Sequence, residues 1–182
     1  MKSLFLALGL TMVGTACVFA GCPAAVDRSE ELKRLRAHVQ AAETEMEGRI
    51  YDRQMWEIWT TAPDAKAQEL LDAGMRSLRV ADYDAALAEL DALVAYCPDY
   101  AEGWNQRAFV HFLRQDYDAA LADLDRTLGL NPDHTGALSG KALSLIGMGR
   151  VGLAQDTLRR AVALNPWLPE RRLLTAPPGA PL

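Results

Sequence analysis

The sequence repeats a pattern of residues at a fixed spacing of 34. The segment Asp82–Leu87 reads DYDAAL, and the same six letters return at Asp116–Leu121. A proline follows each of these segments and the next one at the same offset, at Pro98, Pro132 and Pro166. A constant period of this length is typical of solenoids, in which supersecondary units stack and each unit contacts only its neighbours.

Each unit contains two stretches in which apolar residues recur at helical spacing. In the middle unit, Trp104 and Ala108 lie on one such line, and Ala120 and Leu124 lie on the other. The spacing predicts a helix, a turn and a second helix. Asp116 suits the cap of the second helix, because its carboxylate accepts a hydrogen bond from a backbone N–H that has no partner in the helix. The closing proline ends that helix, since its ring has no N–H to donate.

These residues resemble the tetratricopeptide-repeat family. The matching positions in the first, middle and third units are Gly74, Tyr83, Ala86, Leu90 and Pro98; Trp104, Ala108, Tyr117, Ala120, Leu124 and Pro132; and Ala142, Ala154, Leu158, Ala161 and Pro166. The resemblance implies an all-α fold, an α-solenoid of three helical hairpins at residues 67–100, 101–134 and 135–168. The third unit lacks the Asp-Tyr pair at Gly149–Gly152, so we expect its turn to be looser.

Residues 21–66 form an N-terminal arm and a pair of helices before the first repeat. Apolar residues recur at helical spacing from Asp27 to Glu47 and again from Ile50 to Thr60. We interpret the pair as a degenerate capping hairpin over the open edge of the first repeat, since terminal units of solenoids seal the core. The alternative is that Trp56 and Trp59 form an aromatic ligand site.

Residues 169–182 leave room for a short capping helix and a tail. The tail, from Thr175 to Leu182, has little to bury, so we expect it to be mobile. The outer edge of the third repeat is then weakly covered. Self-association through that edge is therefore an alternative role for the chain.

The N-terminal residues 1–20 have the pattern of a bacterial secretory signal peptide. Lys2 is followed by a short apolar run, and small residues surround Ala20, where cleavage before Gly21 is expected. Cleavage predicts a periplasmic or exported protein with no integral membrane span after signal removal. A retained N-terminal anchor is the alternative interpretation, and Phe19–Cys22 also fits, less well, the acylation motif of bacterial lipoproteins.

The interpretation of the cysteines depends on this prediction of export. Removal of the signal peptide takes Cys17 with it and leaves Cys22 and Cys97 in an oxidising compartment. Cys97 occupies a position at which the next two repeats have asparagine. We hypothesise a Cys22–Cys97 disulfide that ties the N-terminal arm to the first repeat. A lipid anchor on Cys22 is the main alternative, and two free thiols are a third; one sulfur cannot serve both the disulfide and the anchor.

No motif predicts catalysis, a cofactor or a metal site. The three histidines are scattered, and none stands with Cys or Glu at metal-ligand spacing. The net charge of −5 and the lack of a basic patch disfavour a nucleic-acid partner. We interpret Asp123 and Asp125 as outer helix faces and His134 as a solvated turn residue. The sequence therefore predicts a protein that is not an enzyme.

The family resemblance implies a concave groove lined by the first helix of each hairpin. The residues expected there are mainly apolar: Leu71, Met75, Leu78, Asn105, Phe109, Phe112, Leu143 and Ile146. Leu71, Met75 and Gln106 stand where some relatives clamp a C-terminal carboxylate, so that binding mode is disfavoured. Large exposed apolar patches usually mark interaction sites. We therefore expect an unknown protein partner to dock there as a peptide or an amphipathic helix.

Two alternatives to this groove hypothesis remain open at the level of sequence. In the first alternative, the chain's own helix from Asp27 to Glu47 fills the groove. In the second, the chain is a structural solenoid that associates with itself, or a lipid-anchored assembly factor.

Overall fold

The computed structural model describes residues 21–175, and every regular element in that range is helical. The predicted signal peptide and most of the predicted tail lie outside the described residues. The eight α-helices and one 3₁₀ helix are α1 (Ser29–Ala41), α2 (Glu45–Trp59), α3 (Ala65–Arg79), α4 (Tyr83–Tyr96), α5 (Ala101–Leu113), α6 (Tyr117–Leu130), α7 (Thr135–Gly147), α8 (Val151–Leu164) and the 3₁₀ helix Pro169–Leu173. None of these helices is both long and apolar enough to cross a membrane.

The predicted all-α solenoid is confirmed. Helices α3 and α4, α5 and α6, and α7 and α8 form three consecutive hairpins, and each hairpin packs on the next. A small residue stands where the helices of each hairpin cross. Gly74 is one of them, because a Cβ atom there would lie 2.7 Å from Leu90. This close approach buries Leu71, Leu90 and Leu93 completely.

The turn inside each hairpin has the same backbone geometry. Ala81, Gln115 and Gly149 all adopt the left-handed conformation, with φ values of 59°, 62° and 73°. In each turn the next residue donates its N–H to a carbonyl five residues earlier, as Arg150 does to Leu145. The looser turn expected in the third repeat is therefore wrong, because glycine at position 149 adopts the left-handed φ without steric cost.

The third repeat differs from the others in the cap of its second helix. Asp82 and Asp116 each accept a hydrogen bond from a backbone N–H of the helix they precede. Arg150 has the same position before α8 but makes no side-chain cap. Its positive charge also lies at the positive end of the helix dipole, where anions are preferred.

Replacing Arg150 with aspartate is expected to stabilise the protein by about 0.5–1 kcal/mol, because it supplies the missing cap. The free energy of unfolding in urea measures the gain. Arg150→Ala is the matched control, since it removes the charge without adding an acceptor. If the alanine variant is as stable as the aspartate variant, the cap is not the source of the gain.

The N-terminal helix pair is present, but it lies elsewhere than predicted. Instead of covering the open edge of the first repeat, α2 crosses the turns that precede α5, α7 and the 3₁₀ helix. The Tyr100 hydroxyl donates to the Trp59 carbonyl at 2.7 Å, and the Trp59 ring stacks on His134 with centroids 4.0 Å apart. Two turns earlier in α2, Asp52 accepts a hydrogen bond from Asn165 at 2.8 Å. The pair thus spans all three repeats.

Both helices of the N-terminal pair reach the C-terminal end of the solenoid. Gln40 of α1 donates to the Ala163 carbonyl of α8 at 2.8 Å, and Glu45 of α2 forms an ion pair with Arg171 of the 3₁₀ helix. At Gly48 the chain passes so close to Trp167 that a Cβ atom would lie 2.2 Å from the indole ring. The N-terminal pair therefore closes one side of the solenoid from its first turn to its last.

Candidate binding groove

A cavity of about 490 Å³ lies on the face formed by α3, α5 and α7, and α2 forms one side of it. Its lining is mainly apolar: Trp56, Met75, Leu78, Ala108, Phe109, Phe112, Leu124 and Leu143, with Gly136 and Gly140 where α7 approaches. The polar contribution comes from Arg79, Asn105 and Gln106. We call this cavity the groove. Phe109 is its most accessible apolar side chain on α5, with 47% of its surface exposed.

Six of the eight residues predicted for this surface line the groove: Met75, Leu78, Asn105, Phe109, Phe112 and Leu143. Leu71 does not, because it is fully buried between α3 and α4. Its assignment to a binding surface is wrong, since its side chain lies on the side of α3 that packs into the core. Ile146 is half-buried one turn beyond Leu143 and is not among the lining residues. Whether the remaining six bind a partner stays a prediction.

Trp56 also lines the groove, although the sequence indicates it only as part of an alternative aromatic site with Trp59. It is 43% exposed, whereas Met55 and Trp59 on the same helix pack inward. Trp56 directly follows a buried methionine, so it falls on a different face of the helix. That difference in helical phase is the sequence signal that Trp56 is exposed. The sequence does not show which repeat that face would meet, because α2 packs through contacts distant in the chain.

A buried polar network supports the α5 side of the groove. Glu102 is 1% exposed and accepts hydrogen bonds from Asn105 at 3.2 Å and from Gln106 at 2.5 Å. Its other oxygen lies 2.9 Å from Nε2 of His134. Nδ1 of His134 accepts the Ala137 N–H, so the ring proton is on Nε2 and is donated to Glu102.

This network corrects two interpretations from the sequence. His134 is not solvated, since it is 1% exposed and is covered by the Trp59 ring. Asp123 is not on an outer face either. It is 4% exposed and accepts two hydrogen bonds from Arg107, both at 2.7 Å. The turn position of His134 and the helical phase of Asp123 are misleading, because each side chain is buried by a partner on another element.

Arg107 connects two repeats beneath the groove. Besides Asp123 it contacts Asp91 of α4 at 2.8 Å, and its guanidinium lies 4.8 Å from the Trp104 ring. The hydrogen bond and charge of Asp123, opposed by burial, raise the pKa of Arg107 above its ordinary value. The guanidinium is therefore charged throughout the pH range in which the protein folds.

Asp52 of α2 has a raised pKa, mainly because it is partly buried. The hydrogen bond from Asn165 opposes this shift, and the charge of Glu170 adds to it. A carboxyl group whose pKa is raised by folding binds its proton more tightly in the folded state. Its contribution to stability is therefore lost as the pH rises from the ordinary carboxyl pKa through the raised one.

Replacing Asp52 with asparagine is expected to make the protein more stable than wild type at pH 7. The amide oxygen still accepts from Asn165, but no charge is buried. The advantage is expected to shrink as the pH falls below the raised pKa, which urea unfolding at several pH values measures. Glu69→Gln on exposed α3 surface is the control for a lost negative charge. A variant less stable than wild type at pH 7 would show that the ionised group is needed.

Cys22 and Cys97 form a disulfide in the structure, with their Cα atoms 5.1 Å apart. This pairing is the one hypothesised from the sequence. Cys97 is buried in the core of the first repeat, and Cys22 packs against the same cluster. The bond therefore joins the segment before α1 to the turn after α4.

The hairpins, their turns and their stacking can be compared with solved structures. No protein-family model matches the sequence, and the curated proteins give no match. The TPR2B domain of yeast Sti1 in a pHsp70 complex aligns with a TM-score of 0.57 and 21% identity, over 60% of this chain and 90% of that domain. The chain has the tetratricopeptide-repeat fold.

Other tetratricopeptide-repeat structures align similarly. The first such domain of Spaghetti (RPAP3), bound to the HSP90 peptide SRMEEVD, gives a TM-score of 0.58 with 21% identity over 59% of this chain and 86% of that one. MamA gives a TM-score of 0.53 with 20% identity over 64% of this chain and 67% of its own. Among the described residues of this tetratricopeptide-repeat chain, no cluster of His, Cys, Asp and Glu is arranged to hold a metal ion.

Proposed function

We propose that this protein is a non-catalytic interaction module whose groove binds an apolar segment of a partner protein. The observation that supports this most directly is the groove itself, an open apolar cavity beside an exposed phenylalanine. Exposed apolar surface of this kind costs free energy in water unless something covers it. The Sti1 and RPAP3 domains, which share the fold, are described as complexes with pHsp70 and with an HSP90 peptide.

The described part of the chain does not fill its own groove. Helix α1, which was the candidate for that role, contacts α8 and the turn at Asp133 instead. The N-terminal pair contributes only Trp56 to the groove lining. Within residues 21–175 the space is therefore available to a partner.

The test compares Phe109→Asp with wild type in cross-linked affinity capture from the envelope fraction of the source cells. Phe109 is exposed, so a charge there is expected to weaken binding by about tenfold or more without unfolding the chain. Leu153→Asp on α8 is the matched control, since Leu153 is 59% exposed and lies outside the groove. A partner retained equally by both variants would overturn the groove as the binding surface.

Phe112 is less suitable for this test. Its ring packs against the Ala108–Leu124 cluster and lies 5.9 Å from the Tyr117 ring. Aspartate at this position would place a charge in the core, so loss of binding would not be separable from loss of stability.

We also propose that the protein acts in the periplasm or in another exported location. The signal-like residues 1–20 and the Cys22–Cys97 disulfide support this, because disulfides persist in oxidising compartments. Mass spectrometry of the mature protein, with and without reductant, tests it. A gain of two hydrogens on reduction is expected, whereas a lipid-sized addition on Cys22 would favour the anchored alternative.

Self-association is the second candidate function. Val151, Leu153 and Leu173 are 51%, 59% and 44% exposed at the C-terminal end of the solenoid. A mass in solution that rises with concentration, and that Leu153→Asp lowers, would support it. Leu153→Asp thus separates this candidate from the groove hypothesis.

A further inference from the structure

The charged groups around the groove determine which partner it fits. Arg79, the last residue of α3, is the only charged residue in the described lining. It is exposed, and within residues 21–175 it forms no ion pair. One end of an otherwise uncharged groove therefore presents a cation without a counter-charge.

The amides in the middle of the groove do not favour an anion. Asn105 and Gln106 both direct their N–H groups to the buried Glu102 carboxylate. Each amide keeps its carbonyl oxygen and a second N–H, and neither carries a net charge. The Glu102 carboxylate behind them repels another carboxylate. An acidic group of a partner is thus disfavoured at the centre and favoured at Arg79.

The apolar walls of the groove determine the chemistry of the remaining part of the partner segment. Trp56 on α2 faces a surface built by Met75, Leu78, Phe109 and Phe112 across the cavity. A volume of about 490 Å³ is of the size that accommodates several apolar side chains. Because Trp56 belongs to the N-terminal pair, an occupant is held between that pair and the repeats.

We infer that the groove binds an apolar segment of another protein, and that this segment carries an acidic side chain at its Arg79 end. This inference rests on the proposed function, because it names the partner chemistry for the same groove. The apolar part lies between Trp56 and Phe109, and the carboxylate pairs with the guanidinium. The acid supplies orientation and specificity, whereas most of the affinity comes from the buried apolar side chains.

The experiment is a selection of phage-displayed random peptides against the disulfide-bonded protein, with residues 1–20 removed. Peptides whose binding is lost on Phe109→Asp are kept as groove ligands. We expect them to have an apolar run with Asp or Glu toward one end. Synthetic versions with that acid changed to Lys are expected to bind wild type about tenfold more weakly.

Charge reversal on the protein completes the test. Arg79→Glu is expected to weaken the acidic peptides and to restore binding of the Lys versions, which a merely structural change would not do. Arg76→Glu is the matched control, because Arg76 is an exposed arginine of the same helix outside the groove lining. It changes the net charge equally and is expected to leave both affinities unchanged.

The outcomes separate this inference from the function on which it rests. Groove ligands that lack an acid, or that are indifferent to Arg79→Glu, overturn the inference and keep the binding function. If no selected peptide depends on Phe109, the binding function itself fails, and the inference fails with it. A groove occupied by a second copy of the chain would instead appear as a dimer that Phe109→Asp dissociates, and this too overturns the inference.

Discussion

Replacing Arg107 with methionine is expected to lower the free energy of unfolding by about 3 kcal/mol. The reason is the partner that remains: Asp123 is 4% exposed, and it would lose both hydrogen bonds from the guanidinium. A buried carboxylate without a partner costs much more than the pair contributes when intact. Methionine retains the apolar stem beside Trp104, so the loss reports the charge pair rather than the packing.

Urea unfolding of the single and double variants measures this effect. Thermal unfolding gives a second measurement. At about 2–4 °C for each kcal/mol in a chain of this length, the melting temperature is expected to fall by about 6–12 °C. Arg107→Met combined with Asp123→Leu is expected to recover most of the loss, since no buried charge then remains. Asp91→Ala is the control for the exposed side of the network and is expected to cost less than about 1 kcal/mol. Simple addition of the two single effects in the double variant would contradict this account.

The repeats could be predicted from the sequence because their determinants are local. The helical spacing around Trp104 and Ala108, the cap at Asp116 and the stop at Pro132 each act within one or two turns of helix. The turn of the third repeat was predicted incorrectly for a related reason. Loss of the Asp-Tyr pair suggested a looser connection, whereas the left-handed conformation at Gly149 is what preserves the turn.

The placement of the N-terminal pair could not be predicted in the same way. Its amphipathic pattern shows that α1 and α2 bury one face, but not which surface that face meets. The deciding contacts join residues far apart in the chain, such as Trp59 with His134 and Asp52 with Asn165. Gly48 is a further example, because its need for a small residue comes from Trp167.

The sequence predicted only part of the groove lining, because some of the lining depends on contacts between residues far apart in the chain. Met75, Phe109 and Leu143 follow from helical phase and from the family resemblance, so their convergence was expected. Leu71 lies one turn before Met75 on the same apolar face of α3, so periodicity alone could not show which of the two is covered by the core. Trp56 enters the groove only through the long-range placement of α2.

The Cys22–Cys97 disulfide has the other large expected effect. In the chain-entropy model, a crosslink between residues 75 apart stabilises a protein by about 4 kcal/mol, because it removes conformations from the unfolded chain. Adding reductant to the wild type is therefore expected to lower the free energy of unfolding in urea by about that amount. A single transition is expected, since α2 contacts the turns of all three repeats and cannot detach without breaking them.

Cys22→Ala is the variant that isolates the crosslink. Cys97 is 1% exposed within the core, so replacing it would add a packing defect, whereas Cys22 is only partly buried. The variant is expected to match reduced wild type in stability and to show no further change on addition of reductant. A reductant effect of equal size in Cys22→Ala would show that the loss does not come from the disulfide. Two separate transitions in reduced wild type would show instead that the N-terminal pair folds independently, and that the crosslink stabilises its docking rather than the solenoid.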